Sequence, residues 1–285
     1  MAKDTFFRKK ATINAGGKLI DLSMPRVMGI INITPDSFYA GSRKPLVEEA
    51  LQQAGKMLSE GADFLDIGAY SSRPGAEDIS EQEETDRLLP VIEAIASKYP
   101  EAIISIDTFR SKVAEAAVKT GAHIINDISA GQLDDEMFAT VARLQVPYIL
   151  MHMKGTPQNM NKQAQYGDIF TEVLDYIAER IYKLNQLGVN DVIIDPGFGF
   201  AKMTEHSYAL MNRLQNFDIL QLPILVGVSR KRMVYNVIGG NAEGALNATT
   251  ALNTIALTKG ANILRVHDVK EAVEAIKIFR ATEGI

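Results

Sequence analysis

The chain has 285 residues, 46% of them hydrophobic and 23% charged, with 30 Lys and Arg against 35 Asp and Glu and a formal net charge of −5. That acidic balance argues against general nucleic-acid binding, and an anionic substrate would need a local cluster of cations. Cys is absent, which removes disulfides, thiolate nucleophiles and thiolate metal sites. No apolar run approaches the ~18 residues of a membrane span, and residues 1–8 lack the apolar stretch of a signal peptide, so the expected compartment is the cytoplasm.

Residues 11–22 predict a β-hairpin turning at Gly16-Gly17. Beyond it, short β-branched runs alternate with helical patterns. The runs 27–31, 64–65, 103–106, 123–125, 148–151, 192–194, 224–228 and 263–264 each stop at a polar or charged residue. Those stops are Asn32, Asp66, Asp107, Asn126-Asp127, His152, Asp195, Ser229-Arg230-Lys231 and Arg265. Helices are expected at 46–60, 80–98, 111–120, 134–144, 168–187, 204–214, 242–259 and 268–281, ended by Gly or a basic residue. Ser80 and Glu83 supply capping chemistry at the second of them. Such alternation marks βα units and a parallel sheet.

Polar groups at the carboxyl ends of the strands are where a (β/α)8 barrel builds its active site. The expected fold is therefore α/β: one (β/α)8 TIM barrel domain over residues 1–285, with the N-terminal hairpin capping the barrel bottom. No Pro/Gly/Ser-rich linker divides it. Three long loops (34–45, 68–79 and 154–167) fall on the catalytic face and are expected to act as mobile covers over a substrate.

Asp107 and Asp195 would face the barrel mouth together with Asn126 and Lys231. Two carboxylates, a carboxamide and an ammonium match a flat heterocycle bearing several N–H donors and a carbonyl, and each charge-assisted bond contributes about 1.5–3 kcal/mol. In a closed barrel the last strand lies beside the first and second, so Arg265, His267, Asn32 and Ser72-Arg73 become neighbours. That sector suits a phosphate, which Arg grips bidentately, and Asn32 could give an oxygen to Mg²⁺. The competing structural readings are helix-capping aspartates, a salt bridge for Arg265 within the barrel and a hydrogen-bonding role for His267. His152 reads as a wall residue and not a metal ligand. Met151, Phe38 and Phe200 read as apolar walls, and Ser129 and His123 as structural.

These residues fall in motifs that resemble the dihydropteroate synthases. Gly29-Ile30-Ile31-Asn32-Ile33-Thr34-Pro35-Asp36-Ser37-Phe38 is similar to the first signature of that family, and residues 66–75 to the second. Ile106-Asp107-Thr108, Ile124-Ile125-Asn126-Asp127, Leu150-Met151-His152-Met153, Asp195-Pro196-Gly197-Phe198-Gly199-Phe200, Ser229-Arg230-Lys231 and Arg265-Val266-His267-Asp268 follow in order. The resemblance implies an enzyme that joins (7,8-dihydropterin-6-yl)methyl diphosphate to 4-aminobenzoate with Mg²⁺, is a homodimer, and meets sulfonamides as competitors of the aminobenzoate.

Carried over by motif, Asp107, Asn126, Asp195 and Lys231 would hold the pterin, with Met151, Phe200 and Gly227 as walls. Asn32, Arg73, Arg265 and His267 would hold the diphosphate, Asn32 being the metal ligand. Phe38, Ser72, Arg73, Pro74, Ser229 and Lys231 would form the aminobenzoate site. Asp107, Lys231 and Arg265 are the expected catalytic residues, on an SN1-like path. Two alternatives stay open: a pterin-binding methyltransferase domain and a non-catalytic paralogue. Two departures are plain. The family's Gly-Glu-Ser-Thr-Arg-Pro is here Ala69-Tyr70-Ser71-Ser72-Arg73-Pro74, so Ser72 keeps a hydroxyl while Tyr70 replaces an acid and has no assigned role.

Overall fold

The computed structural model of the chain describes residues 10–33, 43–71 and 78–284. The hairpin forms as expected, from β1 (Thr12–Ala15) and β2 (Lys18–Asp21). Its turn needs glycine for two reasons. Gly16 has φ +61°, and a Cβ there would stand 2.3 Å from a ring carbon of His123, closer than any side chain can approach.

Eight parallel strands follow: β3 (Arg26–Asn32), β4 (Phe64–Gly68), β5 (Ile103–Asp107), β6 (Ile124–Asp127), β7 (Tyr148–Met151), β8 (Val192–Asp195), β9 (Leu225–Val226) and β10 (Ile263–Val266). Their order is β8-β7-β6-β5-β4-β3-β10-β9. A bridge from Ile194 to Ile224 joins the two remaining edges and closes the barrel. Outside it lie α1 (Arg43–Glu60), α2 (Glu81–Lys98), α3 (Ser111–Thr120), α4 (Met137–Leu144), α5 (Ile169–Gln186), α6 (Thr204–Asn212), α7 (Arg232–Ile238), α8 (Leu246–Thr258) and α9 (Val269–Glu283). Ser80 caps α2 and Asp168 caps α5, each side chain accepting from the amide three residues on.

Several boundaries differ from the sequence pattern, and α7 was not anticipated at all. Seven residues ended by Gly239 are too few to display a helical repeat. The helix expected from 134 starts at Met137, because Asp134 accepts from the Ser111 and Glu136 amides at 2.7 and 3.0 Å and holds a turn. A 3-10 turn at Glu243–Ala245 precedes α8. The strand expected over 224–228 is only Leu225–Val226.

Successive side chains on a strand point to opposite faces, and this period fixes the interior of the barrel. Its floor is Met28, Phe64, Ile103, Ile124, Ile149, Ile193, Leu225 and Ile263, one from each strand, packed on Ile13, Ala15 and Leu22 of the hairpin segment. Burying each large apolar group there contributes about 1.5–3 kcal/mol. Two residues further along each strand the layer turns polar, with Asp66, Ser105, Asn126, Asp195 and Arg265 beside Ile30, Met151 and Gly227. Two further again stand Asn32, Asp107, Ser229 and His267. The sealed floor thus sets the depth of everything above it.

Of the three long loops, the one at 154–167 is packed down and is not an open cover. Met160 and Ala164 are buried, and Lys154 bonds the Gln165 carbonyl at 2.8 Å and Glu172 at 2.7 Å. Residues 34–42 and 72–77 lie outside the described residues, and with them Phe38, Ser72, Arg73 and Pro74. Among the described residues, no helix is long and apolar enough to cross a membrane.

Candidate active site

A cavity of about 910 Å³ opens at the carboxyl ends of the strands, lined among others by Asn32, Asp107, Phe200, Gly227, Ser229, Lys231, Arg265 and His267. Asn126, Met151 and Asp195 belong to the buried layer beneath it, each 3–5% exposed.

Arg265 occupies the centre. Its Nε donates to Asp66 Oδ2 at 2.6 Å and a terminal nitrogen donates to Asp107 Oδ2, also at 2.6 Å. Burial works against the guanidinium's charge, but Asp66 and Asp107 overcome it and raise its pKa above the usual range. Asp66 Oδ2 also accepts from Asn126 Nδ2 at 3.1 Å. One fully buried carboxylate therefore aligns a cation of the expected diphosphate side with a carboxamide of the expected heterocycle side. The salt bridge foreseen as a competing reading of Arg265 does form, and it stands inside the cavity wall.

Asp107 is pushed up to about 7, first by burial, against the pull of Arg265 and with the repulsion of Asp66. Burial also raises Asp195, opposed by Lys231 and by the Gly197 amide, which donates to Asp195 Oδ1 at 2.7 Å. Lys231 moves the other way, down to about 8 through burial against the pull of Asp195. Its ammonium donates to the Phe198 carbonyl at 2.7 Å and lies 4.8 Å from the centre of the Phe200 ring. Acids displaced upward beside an amine displaced downward are the pattern of a functional site.

His267 Nδ1 and Ser229 Oγ are 3.0 Å apart, and the His267 amide donates back to that oxygen at 3.2 Å. Desolvation at the cavity wall, then Arg265, lower His267 to about 4, although the residue keeps an exposed face toward the mouth. It is therefore a neutral imidazole near pH 7, although the sequence grouped it with the cations. The adjacent Arg230, with φ +55°, turns away into a bidentate pair with Asp268 at 2.8 Å. Ser129 and His123 are structural as expected: Ser129 serves Asp127, and His123 Nδ1 accepts from the Ile104 amide.

The sequence reading missed three features of the site. Asp66 was visible as a strand end and shares the parity of Asn126, the signal that would have placed it indoors. Lys202 reaches His152, with Nζ 2.8 Å from Nδ1. Tyr70 joins two loops, its hydroxyl accepting from Gln158 Nε2 at 2.7 Å. The Tyr70 ring also meets Phe109 edge-on at 5.0 Å and lies 5.3 Å from the Arg110 guanidinium. Where the family pattern has an acid, this chain offers Arg110 a π face, while Glu84 supplies the carboxylate at 2.7 Å.

The sequence profile described as pterin binding enzyme matches residues 28–267. Dihydropteroate synthase of Escherichia coli (strain K12) is 43% identical over 270 residues, 94% of this chain and 95% of that protein. The chain belongs to the dihydropteroate synthase family of pterin-binding enzymes. Two solved structures of the family superpose closely. Yersinia pestis dihydropteroate synthase, in complex with a sulfonamide drug, has a TM-score of 0.90 and 41% identity, covering 96% of this chain and 100% of that one. The Xanthomonas albilineans enzyme, in complex with 7,8-dihydropteroate, has a TM-score of 0.86 and 36% identity, covering 96% and 99%. For a dihydropteroate synthase family member, an apolar floor under polar layers is a recess of the right character for a flat, polar-edged ring.

Proposed function

We infer that this chain is a dihydropteroate synthase. It joins (7,8-dihydropterin-6-yl)methyl diphosphate to 4-aminobenzoate, giving 7,8-dihydropteroate and diphosphate. Family membership supplies the reaction class, and the observation that carries the reading in this chain is the placement of Arg265. One guanidinium borders both the deeper layer of Asp66, Asn126 and Asp195 and the layer of Asn32, Ser229 and His267 above it.

In this reading Asp107, Asn126, Asp195 and Lys231 hold the pterin edge, with Met151, Phe200 and Gly227 as walls. Asn32, Arg265 and His267, with Arg73, take the diphosphate. Ser229 and Lys231 border the aminobenzoate side, with Phe38, Ser72, Arg73 and Pro74. Mg²⁺ would be held through the Asn32 amide oxygen at the cavity wall. Among the described residues no group of three His, Cys, Asp or Glu side chains could hold a metal, so a cation beside Asn32 needs substrate oxygens and water, the usual company of Mg²⁺. When bound, it supplies positive charge to the diphosphate.

The C–O bond at the pterin methylene breaks and its electron pair leaves with the diphosphate. Arg265 meets that charge as a preorganised cation and His267 as a neutral hydrogen-bonding group. Positive charge spreads into the dihydropterin ring, where Asp107 and Asp195 stabilise it, an SN1-like course. The arylamine lone pair then forms the C–N bond and the nitrogen loses a proton to solvent. An arylamine is already neutral near pH 7, so no general base is assigned. The enzyme acts in the cytoplasm as a homodimer on small molecules. The test is product identification: dihydropteroate formed from the two substrates, and suppressed by a sulfonamide competitively with 4-aminobenzoate. Pterin binding without product would leave a binding protein.

A further inference from the structure

Lys202 plays no part in the chemistry above, yet it is a buried lysine on the cavity wall, 7% exposed. It follows the turn that leaves β8 and folds back beneath it. Its Nζ stands 2.8 Å from His152 Nδ1 and donates to the carbonyls of His152 and Phe200 at 3.2 and 3.0 Å. Three acceptors match the donors of one ammonium, a charge that burial strongly disfavours and nearby Asp195 supports.

His152 is itself enclosed, with the Tyr176 ring edge-on at 4.7 Å and Tyr166 tilted at 6.1 Å. Burial, then Lys202, Lys154 and Arg180, lower its pKa to about 2, so the imidazole is neutral and has no charge to set against the lysine. The pair is a hydrogen-bonded link and not an ion pair.

Three parts of the pterin recess depend on that link. Met151 immediately precedes His152. Phe200 contributes both a wall and the carbonyl that Lys202 holds. Gly197, whose amide fixes Asp195, has φ +73° and lies so close that a Cβ would stand 2.1 Å from the His152 oxygen and 3.2 Å from Lys202 Nζ. The residue whose amide holds Asp195 thus packs directly on the carbonyl that Lys202 holds.

We propose that Lys202 is a positioning residue of the pterin recess, pinning the end of β7 to the turn after β8 and so fixing Asp195 and Phe200 for the ring. The proposal rests on the pterin reading above. Lys202 does not touch the reacting atoms, so its loss falls on pterin affinity and not on the arylamine.

The experiment is equilibrium binding of dihydropterin diphosphate to the native protein and to Lys202→Met and Lys202→Gln, with KM for 4-aminobenzoate and kcat measured alongside. The expected dissociation constant rises at least about tenfold in Lys202→Met, since a misplacement of an ångström is costly. Lys202→Gln, which keeps two N–H donors, recovers part of the loss. KM for 4-aminobenzoate stays within about threefold, well under the tenfold that 1.4 kcal/mol represents, while kcat falls along with pterin affinity, because Asp195 also meets the charge that develops on the ring. Folded variants that bind pterin as the native protein does overturn the role of Lys202 and leave the pterin reading intact. Failure of the folded native protein to bind pterin overturns that reading, and the inference with it. If neither variant folds, residue-resolved lysine labelling of the native protein decides. Protection of Lys202 by the pterin diphosphate but not by 4-aminobenzoate supports the role, and unchanged labelling contradicts it.

Discussion

A terminal nitrogen of Arg265 stands 2.6 Å from Asp107 Oδ2, joining residues 158 apart in sequence. In the proposed reaction Asp107 would face the pterin and Arg265 the leaving diphosphate, so the pair would couple its two halves. With the carboxyl raised to about 7, the protonated form gains ground as pH falls through neutrality. If the carboxylate is the active form, kcat/KM of the native enzyme declines on the acid side of about pH 7. Asp107→Asn should remove that limb and lower kcat by about a hundredfold, with a smaller loss of pterin affinity. Equal losses in the two quantities would remove the cation-stabilising role.

Asp66 is fully buried and serves both Arg265 and Asn126. Asp66→Ala leaves the buried Asn126 amide and the part-buried Arg265 guanidinium without that partner, and taking one member from a buried ion pair costs about 3–5 kcal/mol. Asp107 still serves Arg265, so the lower end is expected, read as a fall in the urea midpoint. A midpoint shift no larger than that of an exposed control, such as Glu93→Ala, would show that Asp66 holds nothing in place.

Much of this was legible in the sequence, and the reason is the two-residue period of a strand. Asp107, Asn126, Asp195 and Arg265 end short apolar runs, and the chain offers few other places for such groups in a parallel sheet. The N-terminal hairpin announced itself through Gly16-Gly17. What escaped reading depends on long-range contact or on short length. Nothing local ties Lys202 to His152, fifty residues earlier, or Tyr70 to Gln158, and α7 is shorter than two full turns of pattern. The neutral state of His267 follows from partial desolvation and the neighbouring Arg265 at the cavity wall, which composition cannot convey.

The hairpin plug makes a separate prediction. Leu22 is fully buried against the barrel floor, whereas Leu19 on the same hairpin is 78% exposed. Leu22→Ala should cost about 2–5 kcal/mol, and Leu19→Ala should stay within about 0.5 kcal/mol. Chemical denaturation of both variants separates them, and similar costs would mean that the hairpin does not seal the floor.

Tyr70 and Gln158 form one hydrogen bond between two loops. Tyr70→Phe keeps the ring against Phe109 and Arg110 but loses the acceptor. A double-mutant cycle with Gln158→Ala should return a coupling of about 0.5–1.5 kcal/mol in thermal or chemical unfolding. Simple additivity would show that the Tyr70 hydroxyl does not act through Gln158.

The most direct test of the whole account is diphosphate release by the purified protein given dihydropterin diphosphate and Mg²⁺, with and without 4-aminobenzoate. The account predicts release that depends on the arylamine and is matched one for one by dihydropteroate. Pterin bound by folded protein with no arylamine-dependent release would contradict it.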